Sequence, residues 1–313
     1  MRLADRILLV IGNGLSIDLF EYLAIELHPS FPFSFNVPFR EGKLIDFLPH
    51  LRKMIASNRE KNDYELIQDF VRNVPQNKEE YWTHYELREY LSIAYSYFNK
   101  LLSEKWKKNW KWQNWIKKRY GKILGVVSFN YDLVFETTMN MLSLEYYRLS
   151  STEENIPQGV PIFKPHGSCD FDINPKLICI KTQKPFTIAT SLNDINKPIE
   201  IVPKERLLEP RTQADIVLPF EFSPQTHLFW VRRGFKAITD IVSKVNRVII
   251  VGLSYMACDR REINIVLDSL KKDVKIQYVC PNENFKLLKK LKKISANVER
   301  IDPTNQNDFA KII

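Results

Sequence analysis

The stretch Arg6-Ile-Leu-Leu-Val-Ile-Gly-Asn-Gly-Leu-Ser16 decides the fold. Ile7 to Ile11 is apolar without alternation and stops at Gly12-Asn13-Gly14. A strand that is apolar on both sides belongs inside a parallel sheet covered by helices on each face. Leu15, Leu19, Leu23 and Leu27 follow at helical spacing, so the strand passes through a glycine turn into a helix.

The same pattern recurs outward from this stretch. Strand signals stand at Ile123-Leu-Gly-Val-Val-Ser128, Pro161-Ile-Phe-Lys164, Arg247-Val-Ile-Ile-Val251 and Val274 to Cys280. Helical patterns cover about 131–142, 226–244, 260–271 and 283–293. Such alternation predicts an α/β fold: a doubly wound, mostly parallel, Rossmann-like sheet with crossover helices. Between the first and second strands the pattern is helical throughout, with candidate helices at 43–58, 63–74, 79–104 and 106–119, and Pro75 dividing the second from the third. Residues 28–42, rich in Pro and Phe, read as a loop packed onto a surface. The expected organisation is a Rossmann-like domain formed by 1–42 and 120–313, with 43–119 as a helical insertion forming a second subdomain. Residues 170–220 read as irregular, with short strand candidates near 176–181 and 199–202.

The 313 residues suffice for two domains or one large α/β domain with an insertion, and 44% hydrophobic with 27% charged residues is ordinary for a globular chain. Nothing approaches the ~20-residue apolar run of a membrane helix. Ile7–Ile11 is too short for a signal-peptide core. The four cysteines, Cys169, Cys179, Cys258 and Cys280, form no C-x-x-C pair, which argues against both a disulfide scaffold and a zinc ribbon. The expectation is a cytoplasmic, reduced protein with no metal and no membrane association. The formal charge of +9 is uneven. Residues 105–122 hold eight Lys and Arg and no acid, and residues 271–293 hold eight Lys and two acids, which leaves the remainder at −5. Two basic blocks therefore sit on a faintly acidic body.

Ligands of doubly wound sheets bind beyond the carboxyl ends of the strands, so those ends are the candidate site. Gly12, Asn13 and Gly14 before a helix fit a phosphate cradle, and Ser16 adds a hydroxyl; a plain strand-to-helix turn would use the same glycines. Asp18 would oppose a phosphate if it pointed inward. Asn130 and Asp132 flank Tyr131 directly after a strand. One of them suffices to cap the next helix, which leaves the other for a ligand. His166, in Pro-His-Gly-Ser, stands among turn residues at a strand end and is suited to general-base work. His28, His50, His84 and His227 read as structural or surface residues. Gly252 and Ser254 end a late strand. Ser254 and Asp259 there can hold a ribose or phosphate, or cap a helix.

Taken in order, Gly12-Asn13-Gly14-Leu15-Ser16, Asn130-Tyr131-Asp132, His166-Gly167 and Gly252-Leu253-Ser254 resemble the motifs of the sirtuin superfamily of NAD-consuming enzymes. Asn282 stands where that family has an asparagine facing the adenosine. The resemblance spans residues 7 to about 282. This chain lacks the paired C-x-x-C zinc module and the family's glycine–isoleucine–proline–aspartate–phenylalanine–arginine loop, of which Val37-Pro38-Phe39-Arg40 is a displaced echo. In this it resembles the zinc-free prokaryotic sirtuin-like NAD hydrolases of antiphage defence.

The resemblance implies NAD as substrate, with Gly12, Asn13, Gly14, Ser16, Gly252, Ser254 and Asn282 as its binding residues. Asn130 would position water or a ribose hydroxyl, Asp132 would orient the ribose or nicotinamide, and His166 would act as general base. The implied reaction is cleavage of the nicotinamide–ribose bond rather than protein deacylation. An NAD-depleting enzyme needs a switch, so a homo-oligomer or a partner protein such as a defence ATPase or sensor is expected, with nucleic acid a further candidate trigger. Two rival readings are a non-catalytic NAD or ADP-ribose sensor and a nucleic-acid-binding protein that uses the Trp/Lys segment 105–119. Against the latter, Trp106, Trp110, Trp112, Trp115 and Ile116 form an apolar strip whose natural place is inward, with the lysines in water.

Overall fold

The computed structural model describes residues 5–57, 60–73, 78–149, 158–173, 199–211, 214–221 and 229–312. Strand β1 (Ile7–Ile11) is followed by helix α1 (Gly14–Leu23), the short hairpin β2 (Pro38–Phe39) and β3 (Gly42–Lys43), and helices α2 (Pro49–Ala56), α3 (Asp63–Asn73), α4 (Lys78–Lys105) and α5 (Lys111–Arg119). Then come β4 (Ile123–Ser128), α6 (Val134–Met141), β5 (Tyr146–Arg148), β6 (Val160–Phe163), β7 (Gly167–Ile173), β8 (Ile199–Ile201) and β9 (Ala214–Ile216). The chain continues through α7 (Phe229–Val242), β10 (Arg247–Val251), α8 (Arg260–Asp268), β11 (Lys275–Val279), α9 (Phe285–Ile294), β12 (Val298–Ile301) and α10 (Gln306–Phe309).

Seven strands form one sheet in the order β12-β11-β10-β1-β4-β6-β5, and every neighbouring pair is parallel. The expected doubly wound sheet is therefore present. All five residues of β1 are buried, with Ile7, Leu9 and Ile11 packing into one apolar cluster and Leu8 and Val10 into another. Period-two alternation thus feeds two cores, which is why the run has no polar face. The chain steps from β1 to β4 on one side, later returns to β10 on the other, and so makes its topological switch between β1 and β10.

The helices of residues 43–119 lie between β1 and β4 in sequence, although the two strands are neighbours in the sheet. Their apolar residues, including Leu51, Ile67, Leu87 and Phe98, belong to the same cluster as Ile7, Leu9 and Ile11. Several boundaries differ from expectation. The first helical stretch is a 3-10 turn, Leu44–Phe47, followed by α2, because Pro49 favours a fresh first turn. Helix α5 starts only at Lys111, since Asn109 adopts a left-handed conformation, φ 77°. No sequence pattern marks β5 and β12, which have three and four residues, too few to show a period. In the region expected to be mostly irregular, β8 falls on the strand candidate near 199–202, and with β7 and β9 it forms a separate antiparallel sheet in the order β8-β7-β9. The strand candidate at 176–181, Pro75, Cys179 and His227 lie outside the described residues. Among the described residues no helix is long and apolar enough to cross a membrane.

Candidate active site

Gly12, Gly14 and Gly252 lock the switch point. The N–H of Gly12 donates to Val251 O at 2.9 Å and that of Gly14 to Gly252 O at 3.0 Å. A Cβ on Gly14 would lie 2.6 Å from Gly252 Cα, and one on Gly252 2.4 Å from Gly14 Cα. Gly252 also has φ +57°, a conformation that favours glycine. The glycines thus bring the ends of β1 and β10 into backbone contact. Because these N–H groups, and that of Leu15 to Gly12 O, are engaged internally, the loop offers a ligand close backbone approach rather than a full set of free donors.

A cavity of about 480 Å³ opens at this point. Its walls include Gly12, Asn13, Gly14, Asn130, Asp132 and His166, with Gly252, Ser254 and Asn282 farther along. Nine of the ten residues predicted from sequence therefore meet in one cavity. The tenth, Ser16, is fully buried beneath it. Asp18 points away, held by Lys111 and by Trp110 Nε1 at 2.7 Å.

Ser16 organises the centre. Its hydroxyl donates to Asp132 Oδ2 at 2.7 Å, so its oxygen is left to accept from Asn130 Nδ2 at 3.0 Å. Asn130 Nδ2 also donates to Gly12 O at 3.2 Å. Both partners of that nitrogen are acceptors, which fixes the amide orientation and leaves Asn130 Oδ1 as the atom available to a ligand. Asp132 is the capping residue of the pair: its Oδ1 accepts from the first N–H of α6, Val134, at 3.0 Å. Burial pushes the Asp132 carboxyl above the usual carboxylate range, while Lys164, Ser16 and the Val134 N–H pull it back. Asp132 therefore caps the helix while both residues line the cavity.

His166 sits where the parallel sheet passes into the antiparallel one. Gly167 follows with φ +79°, and a Cβ there would meet Asp215 O at 2.1 Å. The imidazole lies edge-on to Phe129, centroids 5.3 Å apart, and its Nε2 is 3.9 Å from Asp259 Oδ1. Asp259, Glu262 and Glu221 also line the cavity. With Asp132 they make four acids against no Lys or Arg among the described lining residues. The sequence offers Asp259 as a helix cap or a ribose or phosphate contact; its place beside His166 is a tertiary contact. Tyr64 and Asn62 on one side and Val217–Glu221 on the other complete the wall; neither segment carries a motif, and no sequence signal pointed to them. Burial drives the Cys258 thiol well above its usual value and the Cys169 thiol to about 12, so neither supplies a thiolate near neutrality. Among the described residues no group of three His, Cys, Asp or Glu is placed to hold a metal ion.

The Trp/Lys segment is turned inward. Trp110, Trp112 and Trp115 are buried. Trp112 packs edge-on against Phe309 at 5.0 Å, and Trp115 Nε1 donates to Ile312 O at 3.1 Å. These rings are not available to stack on bases, and the solvated basic helix is the arrangement found. A larger cavity, about 770 Å³, lies behind the Asn130–Asp132 loop near Asn99, Glu136, Arg148 and Asp170; it contains none of the strand-end motifs.

No protein-family model matches the chain, and no curated protein matches it. Solved structures similar to it include a Sir2 complex with an inhibitor, acetyl-ADP-ribose and a deacetylated peptide, at 15% identity over 90% of this chain and 83% of that one, TM-score 0.32. A structure described for the mechanism and regulation of Sir2 enzymes shares 13% identity over 95% of this chain and 86% of that one, TM-score 0.35. A mutant Sir2 homologue with ADP-ribose shares 12% over 90% and 83%, TM-score 0.32.

Proposed function

We propose that the protein cleaves the nicotinamide–ribose bond of NAD to give nicotinamide and ADP-ribose. The observation that carries this reading is the convergence of Asn130, His166 and the two glycine turns on one cavity at the sheet's switch point. The cavity's charge agrees. The departing nicotinamide begins as a pyridinium and the ribosyl carbon develops oxocarbenium character, so positive charge moves onto the sugar. Asp132, Asp259 and Glu262 in the wall favour that charge, while the Glu221 carboxylate is engaged by Arg88 and Leu218 N. Asn130 Oδ1 accepts from the attacking water and sets its direction. His166 takes the water's proton as the new C–O bond forms, a role worth roughly 10²–10⁴-fold. Asp259 Oδ1 lies 3.9 Å from the Nε2 of that imidazole. With no cation in the described wall, the pyrophosphate is held by backbone approach at 12–14 and by hydroxyls such as Ser254, with Asn282 left to face the adenosine.

Such an enzyme would deplete NAD in its own cell, which fits a defence effector held in check by a partner or by assembly state. The test is direct. The pure protein is incubated with NAD and free nicotinamide is measured. Asn130→Ala and His166→Ala are each expected to lower release at least 100-fold while circular dichroism stays unchanged. A folded His166→Ala variant with parent activity would overturn the assignment. Calorimetric NAD binding without turnover would identify a sensor instead.

A further inference from the structure

We propose that Lys164 is a positioning residue whose buried ammonium ties the segment carrying His166 to the loop carrying Asn130; this rests on reading those two residues as the reacting centre.

The Lys164 side chain has no exposure. Its Nζ donates to the main-chain carbonyl of Asp132 and lies 3.4 Å from Glu136 Oε1. Glu136 Oε1 is also 3.2 Å from Arg148 Nη1, and Arg148 Nη2 is 3.0 Å from Asp170 Oδ2. None of these four side chains is more than 5% exposed. They come from four places: the turn after β6, α6, β5 and β7. Two cations and two anions are thus buried together. Apolar side chains of similar volume often pack as well or better, so such a cluster is weak evidence of a stability role. What it does impose here is direction.

The loop from Asn130 to Val134 is held at each residue. Asn130 hangs from Ser16 and Gly12, and Leu133 N–H donates to Asn99 Oδ1 at 3.0 Å. These anchors come from the turn after β1, from α1 and from α4, none of which carries His166. The next two ties do. Tyr131 O accepts from Cys169 N at 2.9 Å, and Asp132 O accepts from Lys164. Consecutive carbonyls of the Asn130 loop are therefore gripped by residues that flank His166, one two positions before it and one three positions after. The Cys169 grip is main-chain and common to any residue. The Lys164 grip is a side-chain choice, stiffened by Glu136 and, through it, Arg148. A misplacement of about 1 Å between reacting groups can cost on the order of 100-fold in rate.

The experiment compares the parent protein with Lys164→Met and with Lys164→Met/Glu136→Gln, the second restoring charge balance in the cluster should the first fold poorly. Amide hydrogen exchange is followed at 129–134 and, as an internal control, in β1 and β10. Exchange in the loop is expected to rise at least tenfold with the strands unchanged. On NAD, kcat is expected to fall about 100-fold with KM within threefold, a split that general destabilisation would not produce. A folded double variant with parent exchange in the loop overturns the proposal, as does raised exchange with parent kcat. If the parent itself releases no nicotinamide, the proposed function fails, and the exchange comparison still decides whether Lys164 holds the loop.

Discussion

At the scale of single residues, the centre depends on one hydroxyl. Ser16 Oγ donates to Asp132 and accepts from Asn130, and it is wholly buried. Ser16→Ala leaves Asp132 Oδ2 without its donor, a change expected to cost about 1–3 kcal/mol in urea unfolding. It also frees the Asn130 amide to turn, and nicotinamide release should fall with it; an unchanged rate would show that Asn130 needs no such support. The sequence marked Ser16 as a ligand contact because it follows a glycine loop. Its hydrogen-bond partners in the fold lie 114 and 116 positions away, a separation that no local pattern reports. The glycines are a different case. Gly252→Ala meets both a positive φ and the Gly14 backbone, so it should cost about 2–4 kcal/mol. A midpoint shift smaller than that of a typical surface substitution would mean that the strand ends are not in contact.

Among the elements, α4 joins the helical insertion to the site. It packs against β7 and β9 and carries Glu89, whose Oε1 accepts from Arg211 N at 2.6 Å while Oε2 is buried without a hydrogen-bond partner among the described residues. Burial pushes the Glu89 carboxyl from 4.5 to about 7, and that of Asp215 on β9 from 3.8 to about 6. The folded state holds these protons more tightly than the unfolded chain does. Their stabilising effect is therefore complete below about pH 4 and is lost as pH rises towards 7. The melting temperature is expected to fall between pH 5 and pH 8, and Glu89→Gln, which cannot ionise, should recover on the order of 2 kcal/mol at pH 8. If parent and variant show the same pH dependence, Glu89 is not the group responsible. No sequence pattern anticipated this, since a glutamate within a long helix ordinarily faces water.

For the whole molecule, the basic block at 105–122 acquires a structural meaning. Helix α5 is clasped by the segment after β12: Lys111 Nζ donates to Pro303 O at 3.0 Å, Trp115 to Ile312 O, and Trp112 packs on Phe309. Ile312 is 2% exposed. Ile312→Ala should therefore cost about 2–4 kcal/mol, as for a core residue, and should raise amide exchange throughout α5. A cost below 0.5 kcal/mol would mean that the segment merely rests on the surface. The tryptophans that suggested base stacking are used instead to join the insertion to the far edge of the sheet, while Lys107, Lys108, Lys117 and Lys118 stay exposed.

Read by itself, the sequence determined the doubly wound sheet, the helical character of the stretch between its first two strands and the glycine turn that ends β1. Those properties are local: an unalternating apolar run, a helical period and a glycine turn are each complete within about fifteen residues. Only the tertiary structure decided that nine of the ten predicted residues share one cavity, that Ser16 acts from beneath it, and that Lys164, Glu136, Arg148 and Asp170 form a buried cluster behind it. Each of these is a contact between residues remote in sequence, fixed by strand order and crossover packing rather than by composition or period.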